Sequence, residues 1–347
     1  MASSPHLASI GGVLERSSAL HPQRLSVAGP RERLTWQELQ SLADSIAAGL
    51  HAAGLAPGDR VCLWLASSPS WVAAFLALRR LGLTSVSIGD RARPAELSEL
   101  LSMFRVAAVV ADAASTPAIA SVCDEAGVRI VEADAPSCEE APEAHADEAL
   151  IHLTSGSSGT PKGVMRIEAD LLEEARNVAE ALQLTPDDRV LCATPVYHSF
   201  ASGLLLACLW SATPCLLMDR LSPATLLDLA RREGATIVAG VPYVFQTLTA
   251  LTLSGDARPP LRLGVSGGAH LQPETVRRFR ERFGAPLVQE YGLSEAGIVT
   301  LNLGRPERVE SVGAPIPNVT LRIVDPADPA RELPAGAIGE VLVRRAF

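Results

Sequence analysis

Residues 154–163 read TSGSSGTPKG, and this stretch decides how the rest of the chain is interpreted. An apolar run at residues 149–153 precedes it and predicts a buried strand, while residues 168–182 have the periodicity of an amphipathic helix. Three glycines free the backbone to wrap around a phosphate, hydroxyl side chains can donate to its oxygens, and a lysine adds positive charge. The sequence therefore predicts a phosphate-binding loop between a strand and a helix, formed by Thr154, Ser155, Gly156, Ser157, Ser158, Gly159, Thr160 and Lys162.

Lys162 is the only lysine of the sequence, and every other basic residue is an arginine. A single lysine in such a chain favours a position that needs a compact ammonium group beside a phosphate, although chance retention is the alternative. The loop is not a Walker P-loop, because the residue before Lys162 is Pro161. A flexible Ser/Gly linker is the competing interpretation, but a linker needs neither the preceding strand nor the Pro-Lys-Gly ending.

Composition excludes several classes of protein. The 347 residues carry 39 acidic and 30 basic side chains, for a net charge of -9, which gives no footprint for nucleic-acid binding. The six cysteines form no Cys-x-x-Cys pair and are expected to be free thiols. The N-terminus lacks the pattern of a signal peptide, and no apolar stretch is long enough to span a bilayer. We therefore expect a cytoplasmic protein.

Alternating apolar runs and helical patterns predict an α/β fold. The runs Arg60–Leu65 and Val106–Ala111 read as buried strands, and amphipathic segments lie between such runs. Thr35, with Glu38 three residues later, predicts a capping box at the start of a helix. We expect a first α/β lobe at residues 1–148 that ends in an acidic surface loop, and a second lobe at residues 149–290. Short β-type segments separated by Pro/Gly turns predict the start of a β-rich subdomain at residues 291–347.

Further motifs follow the loop in a fixed order. They are PVYHSF at residues 195–200, SGGA at 266–269, YGLSE at 291–295, GAP at 313–315, ELPAG at 332–336 and GE at 339–340. Together with the loop, they resemble the adenylate-forming superfamily of acyl-CoA synthetases, aryl-acid ligases and adenylation domains. The resemblance implies the large N-terminal core of that family, which has two packed parallel-type sheets flanked by helices and then a small barrel-like β subdomain.

The resemblance also implies the cofactors and the site residues. ATP or AMP is expected on the loop and on the later motifs, where Tyr291 offers a flat face to adenine and Ser294 a hydroxyl to the α-phosphate. Glu295 is expected to bind Mg²⁺ through a hard carboxylate oxygen and to act in catalysis with Lys162 and His198. The other implied nucleotide-binding residues are Gly267, Gly268, Ala269, Glu290 and Gly292. The implied acid-binding residues are His198, Ser199, Gly240, Tyr243, Gly268, Glu290, Gly292 and Gly297.

The sequence ends before the family's ribose-binding aspartate and before its C-terminal lid domain, which carries the adenylation lysine. The resemblance therefore implies that this chain alone is nearly inactive. In the intact protein, the acyl group is expected to pass to the phosphopantetheine thiol of CoA or of an acyl carrier protein. The sequence does not distinguish these two acceptors.

Two features bear on the acid. Residues 197–218 contain no carboxylate, whereas amino-acid-activating relatives place an aspartate there, so a simple carboxylic acid is expected. Glu290 stands where relatives have a small or apolar residue, and a buried carboxylate needs a hydrogen-bond donor. That donor could be a hydroxyl or amine of the substrate, or an internal arginine or backbone N–H. A 4-hydroxybenzoate-type acid fits the first reading.

Other functions stay open at the level of sequence. A medium- or long-chain fatty-acid ligase of the same superfamily is one, and a non-catalytic module that binds nucleotide or acyl-adenylate is another. A nicotinamide dehydrogenase is disfavoured, because no strand-linked G-x-G-x-x-G motif is present.

Overall fold

The structure is a computed structural model, and it describes residues 9–133, 141–155, 161–251 and 258–345. The helices are α1 (Ile10–Leu20), α2 (Trp36–Ala52), α3 (Pro69–Arg80), α4 (Pro94–Met103), α5 (Thr116–Ala126), α6 (Glu168–Ala181), α7 (Ser199–Trp210), α8 (Pro223–Arg232), α9 (Pro242–Ala250) and α10 (Pro273–Phe283). In this part of the chain, no helix combines the length and the apolar character that a membrane span needs.

The strands group into three sheets. They are β1 (Leu25–Ala28), β2 (Arg33–Thr35), β3 (Arg60–Leu65), β4 (Thr84–Gly89), β5 (Val106–Ala111), β6 (Arg129–Glu132), β7 (Glu148–Ser155), β8 (Pro161–Ile167), β9 (Val190–Cys192), β10 (Cys215–Leu217), β11 (Ile237–Gly240), β12 (Leu263–Ser266), β13 (Leu287–Leu293), β14 (Gly297–Leu301), β15 (Ala314–Pro315), β16 (Val319–Asp325), β17 (Asp328–Glu332) and β18 (Glu340–Arg345).

Two large sheets and three helical layers alternate. The six-stranded sheet has the order β6-β5-β3-β4-β7-β8, and the nine-stranded sheet has the order β15-β14-β13-β12-β11-β9-β10-β1-β2. Helices α1, α2, α3, α6 and α7 fill the space between the sheets with a shared apolar core. Helices α8 to α10 cover the far face of the nine-stranded sheet, and α4 and α5 cover that of the six-stranded sheet. The predicted pair of packed, mainly parallel sheets is confirmed.

Local signals predicted several elements well. Strands β3 and β5 have the predicted bounds, and α2 begins with the predicted capping box, in which the Thr35 hydroxyl accepts from the Glu38 backbone N–H and the Glu38 carboxylate accepts from the Thr35 N–H. The helix predicted at residues 168–182 is confirmed as α6, but the glycine-rich loop does not lead directly into it. An antiparallel strand, β8, comes first and pairs with β7, so that α6 begins only at Glu168.

The sheets do not follow the division predicted at residue 148. Strands β1 and β2 belong to the nine-stranded sheet, and β7 and β8 belong to the six-stranded sheet. Residues 291–315, predicted to begin the β-rich subdomain, instead supply part of β13 and all of β14 and β15 to the nine-stranded sheet. The small antiparallel sheet, ordered β17-β16-β18, uses residues 319–345.

A buried ion pair joins the start of α6 to α3. The Arg79 guanidinium, whose side chain is 0% exposed, donates to the Glu168 carboxylate at 2.5 Å. Arg79 also donates to the backbone carbonyls of Leu83, Ala146 and Glu148, and Glu168 accepts from the Ile10 N–H at 2.7 Å. The pair therefore ties three distant segments together at the edge of the middle helical layer.

We predict that Glu168→Gln lowers the free energy of unfolding by about 3 kcal/mol, because Arg79 is then left as an uncompensated buried charge. The exposed pair Arg24–Asp187 is the control, and Asp187→Asn should cost less than about 1 kcal/mol. Urea unfolding of the three proteins measures both values. Equal losses for the two variants would contradict the role given to the buried pair.

Candidate active site

The candidate site lies at one edge of the nine-stranded sheet. Strands β9, β11, β12 and β13 run parallel there, so their carboxyl ends meet at the same edge. The chain leaves β9 toward β10 on one side and leaves β11 toward β12 on the other, which makes their junction a topological switch point. Ligands of open α/β sheets bind in the crevice outside such a junction. The motifs that the sequence singled out lie at or just after the carboxyl ends of β9, β12 and β13, at residues 195–200, 266–269 and 291–295.

We call the antiparallel pair of strands β7 and β8 the phosphate hairpin. Thr154 pairs with Lys162 in the antiparallel register, and the Thr154 hydroxyl lies 3.5 Å from the Lys162 carbonyl oxygen. Lys162 is exposed, immediately beyond the loop. Ser155 ends β7. The predicted phosphate ligands Gly156, Ser157, Ser158, Gly159 and Thr160 lie outside the described residues.

A tight hairpin turn carries the predicted metal and phosphate ligands. Leu293 pairs with Gly297 across β13 and β14, and the turn at residues 294–296 joins them. Gly297 has φ +64°, and a Cβ on Gly292 would lie 2.6 Å from the Gly297 carbonyl oxygen, so this turn requires glycine at both positions. Glu295 is exposed at the tip, and the Ser294 hydroxyl donates to the Ser199 hydroxyl at 3.2 Å.

The predicted adenine-side loop follows β12 directly. The Gly267 N–H donates to the Gly240 carbonyl oxygen at 3.1 Å, which joins the ends of β11 and β12. Gly268 has φ +78°, and Gly268 and Ala269 are exposed. The Ser266 hydroxyl, at the end of β12, is buried without a hydrogen-bond partner among the described residues. This loop presents open backbone at the edge of the sheet, as the glycines predicted.

Glu290 is the most unusual group of the site. It is 5% exposed, and its Oε2 atom has no hydrogen-bond partner among the described residues. The backbone N–H of Gly268 is its one hydrogen-bond donor within that part of the chain, and a Cβ on Gly267 would lie 2.0 Å from Oε1. Burial, and then the nearby carboxylate of Glu174, raise the pKa of Glu290 to about 8. In the part of the chain that the structure describes, no arginine pairs with this carboxyl group, and backbone N–H groups leave its Oε2 atom without a donor.

The aromatic motif lies at the start of α7, a helix that packs against β13. The rings of Tyr197 and His198 are 4.8 Å apart, and His198 caps α7 with extended backbone. Desolvation lowers the pKa of His198, which favours its neutral form. Tyr243 lies on α9 with 63% of its surface exposed, and its place in an acid pocket stays a prediction.

Three buried residues near the site were not predicted from the sequence. His152 of β7 contacts the Ser202 hydroxyl through Nε2 at 3.2 Å, and burial lowers its pKa to about 4, so it is neutral near pH 7. Arg166 of β8 forms an ion pair with Glu174 of α6 at 3.0 Å. A signal for Glu174 did exist, because it occupies the buried face of α6 with Leu171 and Val178, where an apolar residue is expected.

The donor set fits a magnesium ion carried in by ATP. Among the residues that the structure describes, no three His, Cys, Asp or Glu side chains are grouped so as to hold a metal ion. Mg²⁺ usually binds through one or two carboxylates together with substrate phosphates, rather than in a cage made only of protein groups. The exposed carboxylate of Glu295, beside the hydroxyl of Ser294, is a donor of that kind.

Comparisons with known sequences agree with this geometry. The model of the family described as "AMP-binding enzyme" matches residues 14–347. Feruloyl-CoA synthase from an Amycolatopsis species is 29% identical over 337 residues, which cover 94% of this chain and 68% of that protein. A salicyl-AMP ligase / salicyl-S-ArCP synthetase from Mycobacterium tuberculosis is 33% identical over 371 residues, which cover 96% of this chain and 64% of that protein.

Solved structures show the same fold. ATP-bound MatB from Rhodopseudomonas palustris superposes with a TM-score of 0.85 at 26% identity, over 97% of this chain and 70% of that one. An anthranilate CoA ligase in complex with anthranoyl-AMP has a TM-score of 0.88 at 23% identity, over 99% of this chain and 70% of that one. The chain therefore belongs to the AMP-binding family of adenylate-forming enzymes.

Proposed function

We propose that this chain is the core of a ligase that activates a hydroxylated aryl acid, of the hydroxybenzoate type, with ATP and Mg²⁺. An oxygen of the acid's carboxylate attacks the α-phosphorus of ATP, the bond from that phosphorus to the bridging oxygen breaks, and acyl-AMP and pyrophosphate result. The acyl group then passes to the phosphopantetheine thiol of CoA or of an acyl carrier protein. Relatives named for both acceptors support this, since one is a CoA synthase and another a salicyl-S-ArCP synthetase.

The observation that carries the choice of acid is the unpartnered oxygen of buried Glu290. A buried polar group without a partner costs about 1–3 kcal/mol, and a ligand that supplies the missing hydrogen bond recovers that cost. A substrate hydroxyl can donate to the free oxygen of Glu290 when the carboxyl group is ionised, and it can accept from that oxygen when the group is protonated. Relatives named for ferulate and salicylate, which are hydroxylated aryl acids, support the same class.

An alkyl chain fits this pocket less well. A fatty acyl chain packed against Glu290 would keep the oxygen unpartnered and would remove the remaining access to water. An α-amino acid is also disfavoured, because residues 197–218 supply no carboxylate for its ammonium group. A hydroxyl on an aromatic ring best matches the unpartnered oxygen of Glu290 and the absence of a carboxylate at residues 197–218.

The nucleotide is expected to bind across three elements of the site. The phosphate hairpin, with Lys162, supplies donors and positive charge, and the Ser294 hydroxyl supplies a further donor to the α-phosphate. The adenine ring is expected between Tyr291 and the glycine backbone at residues 267–268. Mg²⁺ would supply charge neutralisation at the phosphates, held by Glu295. His198, neutral at the start of α7, is expected to line the acid pocket.

We predict that the chain prefers a hydrolysis-resistant 4-hydroxybenzoyl-adenylate analogue over its benzoyl parent by about tenfold or more, since only the first satisfies Glu290. Glu290→Met removes the buried acceptor and should bring this preference close to one, with benzoyl binding retained. Glu307→Gln, which removes the same charge at an exposed position, is the control and should keep the wild-type preference. Calorimetric titrations measure all six affinities. An unchanged preference in Glu290→Met would contradict the hydroxyl contact.

We also predict that Glu295→Gln weakens binding of ATP in the presence of Mg²⁺ by about tenfold or more, because one of few carboxylate donors to the ion is lost. The same variant should bind the acyl-adenylate analogue, which needs no metal, with wild-type affinity. Titrations with ATP in magnesium and in EDTA, and with the analogue, separate the two effects. Equal losses for both ligands would exclude a metal role for Glu295.

A further inference from the structure

The Arg166–Glu174 ion pair lies beside the candidate site but takes no part in the proposed chemistry. The two side chains are 2% and 1% exposed, and Arg166 Nη2 lies 3.0 Å from Glu174 Oε2. Burying two charges costs about as much free energy as their attraction returns, so such a pair is weak evidence for stability alone. Its contacts with neighbouring elements indicate what else it does.

Arg166 connects the phosphate hairpin to the turn that carries Glu295. It belongs to β8, and its Nη1 atom lies 3.5 Å from the carbonyl oxygen of Ser294. Its Nε atom lies 3.4 Å from Asp170 at the start of α6. One guanidinium group thus spans the phosphate hairpin, α6 and the turn at residues 294–296.

Glu174 connects α6 to two other parts of the site. Its Oε1 atom accepts from the Ile298 N–H of β14 at 2.8 Å, directly after the turn. A Cβ on Gly297 would lie 2.2 Å from this carboxylate, and a Cβ on Gly203 of α7 would lie 2.6 Å from it. Strand β14 and helix α7 therefore each approach the Glu174 carboxylate at a glycine, where no side chain stands in the way.

One face of helix α7 contacts both the turn at residues 294–296 and the carboxylate of Glu174. Gly203 lies four residues after Ser199, so the two share a side of the helix. Ser199 accepts the hydrogen bond of Ser294, and Gly203 lies against Glu174. The contacts of the ion pair thus close a ring through β8, α6, α7 and the turn between β13 and β14.

We propose that Arg166 and Glu174 are positioning residues that fix the phosphate hairpin, the turn at residues 294–296 and helix α7 relative to one another, as a bound acyl-adenylate requires. The proposal rests on the proposed function, because that ligand is the one that touches all three elements. Glu174 also influences the acid pocket directly, since its negative charge contributes to the raised pKa of Glu290.

A comparison of a ligand that spans the elements with one that does not provides the test. Adenosine lacks the phosphate and acyl groups, whereas the 4-hydroxybenzoyl-adenylate analogue reaches the hairpin and the acid pocket. We expect Glu174→Gln to lower the affinity for the analogue by about tenfold and to leave that for adenosine within about twofold. Calorimetry on the full 347-residue chain measures both ligands.

Two further proteins separate positioning from stability. The double variant Arg166→Met/Glu174→Met replaces the ion pair with apolar side chains of similar length, a change that is often neutral or stabilising. We expect it to unfold like the wild type and still to lose affinity for the analogue. The control Glu168→Gln disrupts the buried Arg79 pair at the start of α6, which contacts α1 and α3 rather than the turn at residues 294–296, and its ratio of analogue to adenosine affinity should match the wild type.

The proposal would be overturned if both Glu174 variants kept the wild-type ratio of analogue to adenosine affinity. It would also be overturned if this ratio fell equally in Glu168→Gln. If the wild type does not bind the analogue, the proposed acid is wrong, and amide hydrogen exchange of the ligand-free proteins then decides the inference. We expect faster exchange at residues 161–167 and 291–297 in Glu174→Gln, with α2 and α3 unchanged. Wild-type exchange in both segments would overturn the positioning role.

Discussion

A cluster of buried ionisable side chains, where α6 and α7 meet the nine-stranded sheet, is the constraint on which the site depends. Arg166, Glu174 and Glu290 are each almost fully buried there, and the backbone around them approaches closely enough to exclude side chains. Gly267 lies against the Glu290 side chain, and Gly297, with φ +64°, lies against the carboxylate of Glu174. The shapes of the adenine-side loop and of the turn after β13 therefore follow from the need to enclose carboxylates.

The carboxyl groups of Glu174 and Glu290 differ in their hydrogen-bond and ion-pair partners, and this difference indicates a structural role for the first and a ligand-binding role for the second. Glu174 has an arginine and a backbone N–H, so its charge is compensated within the protein. Glu290 has one backbone donor and a carboxylate neighbour, so it is held at a cost in stability. Proteins tolerate such a cost mainly where a ligand later removes it, which is why perturbed carboxyl groups cluster at functional sites. Under the proposed function, the hydroxyl of a bound aryl acid is the group that removes this cost.

Sequence reasoning succeeded where local chemistry fixes the outcome. The capping box of α2, the apolar runs of β3 and β5 and the glycines after β12 depend on neighbouring residues, and each was predicted. It failed where pairing is long-range. Strand β8 follows the loop because it pairs with β7, and residues 161–167 alone do not show this. The role of Glu174 depends on Arg166 and on Gly203 of another helix, so its position on a buried helical face was the only local sign.

The central claim is that Glu290 is buried without a compensating partner among the described residues, and the pH dependence of stability measures this directly. Its pKa of about 8 lies above the unfolded value, so its contribution is complete at low pH and is lost as the pH rises toward 8. Besides burial, the Glu174 carboxylate raises this pKa and the Gly268 N–H lowers it. From pH 5 to pH 8, the free energy of unfolding of Glu290→Gln should therefore rise relative to wild type by on the order of 3 kcal/mol. A difference that stays constant across this range would show that Glu290 titrates like an exposed carboxyl group, and it would contradict the account.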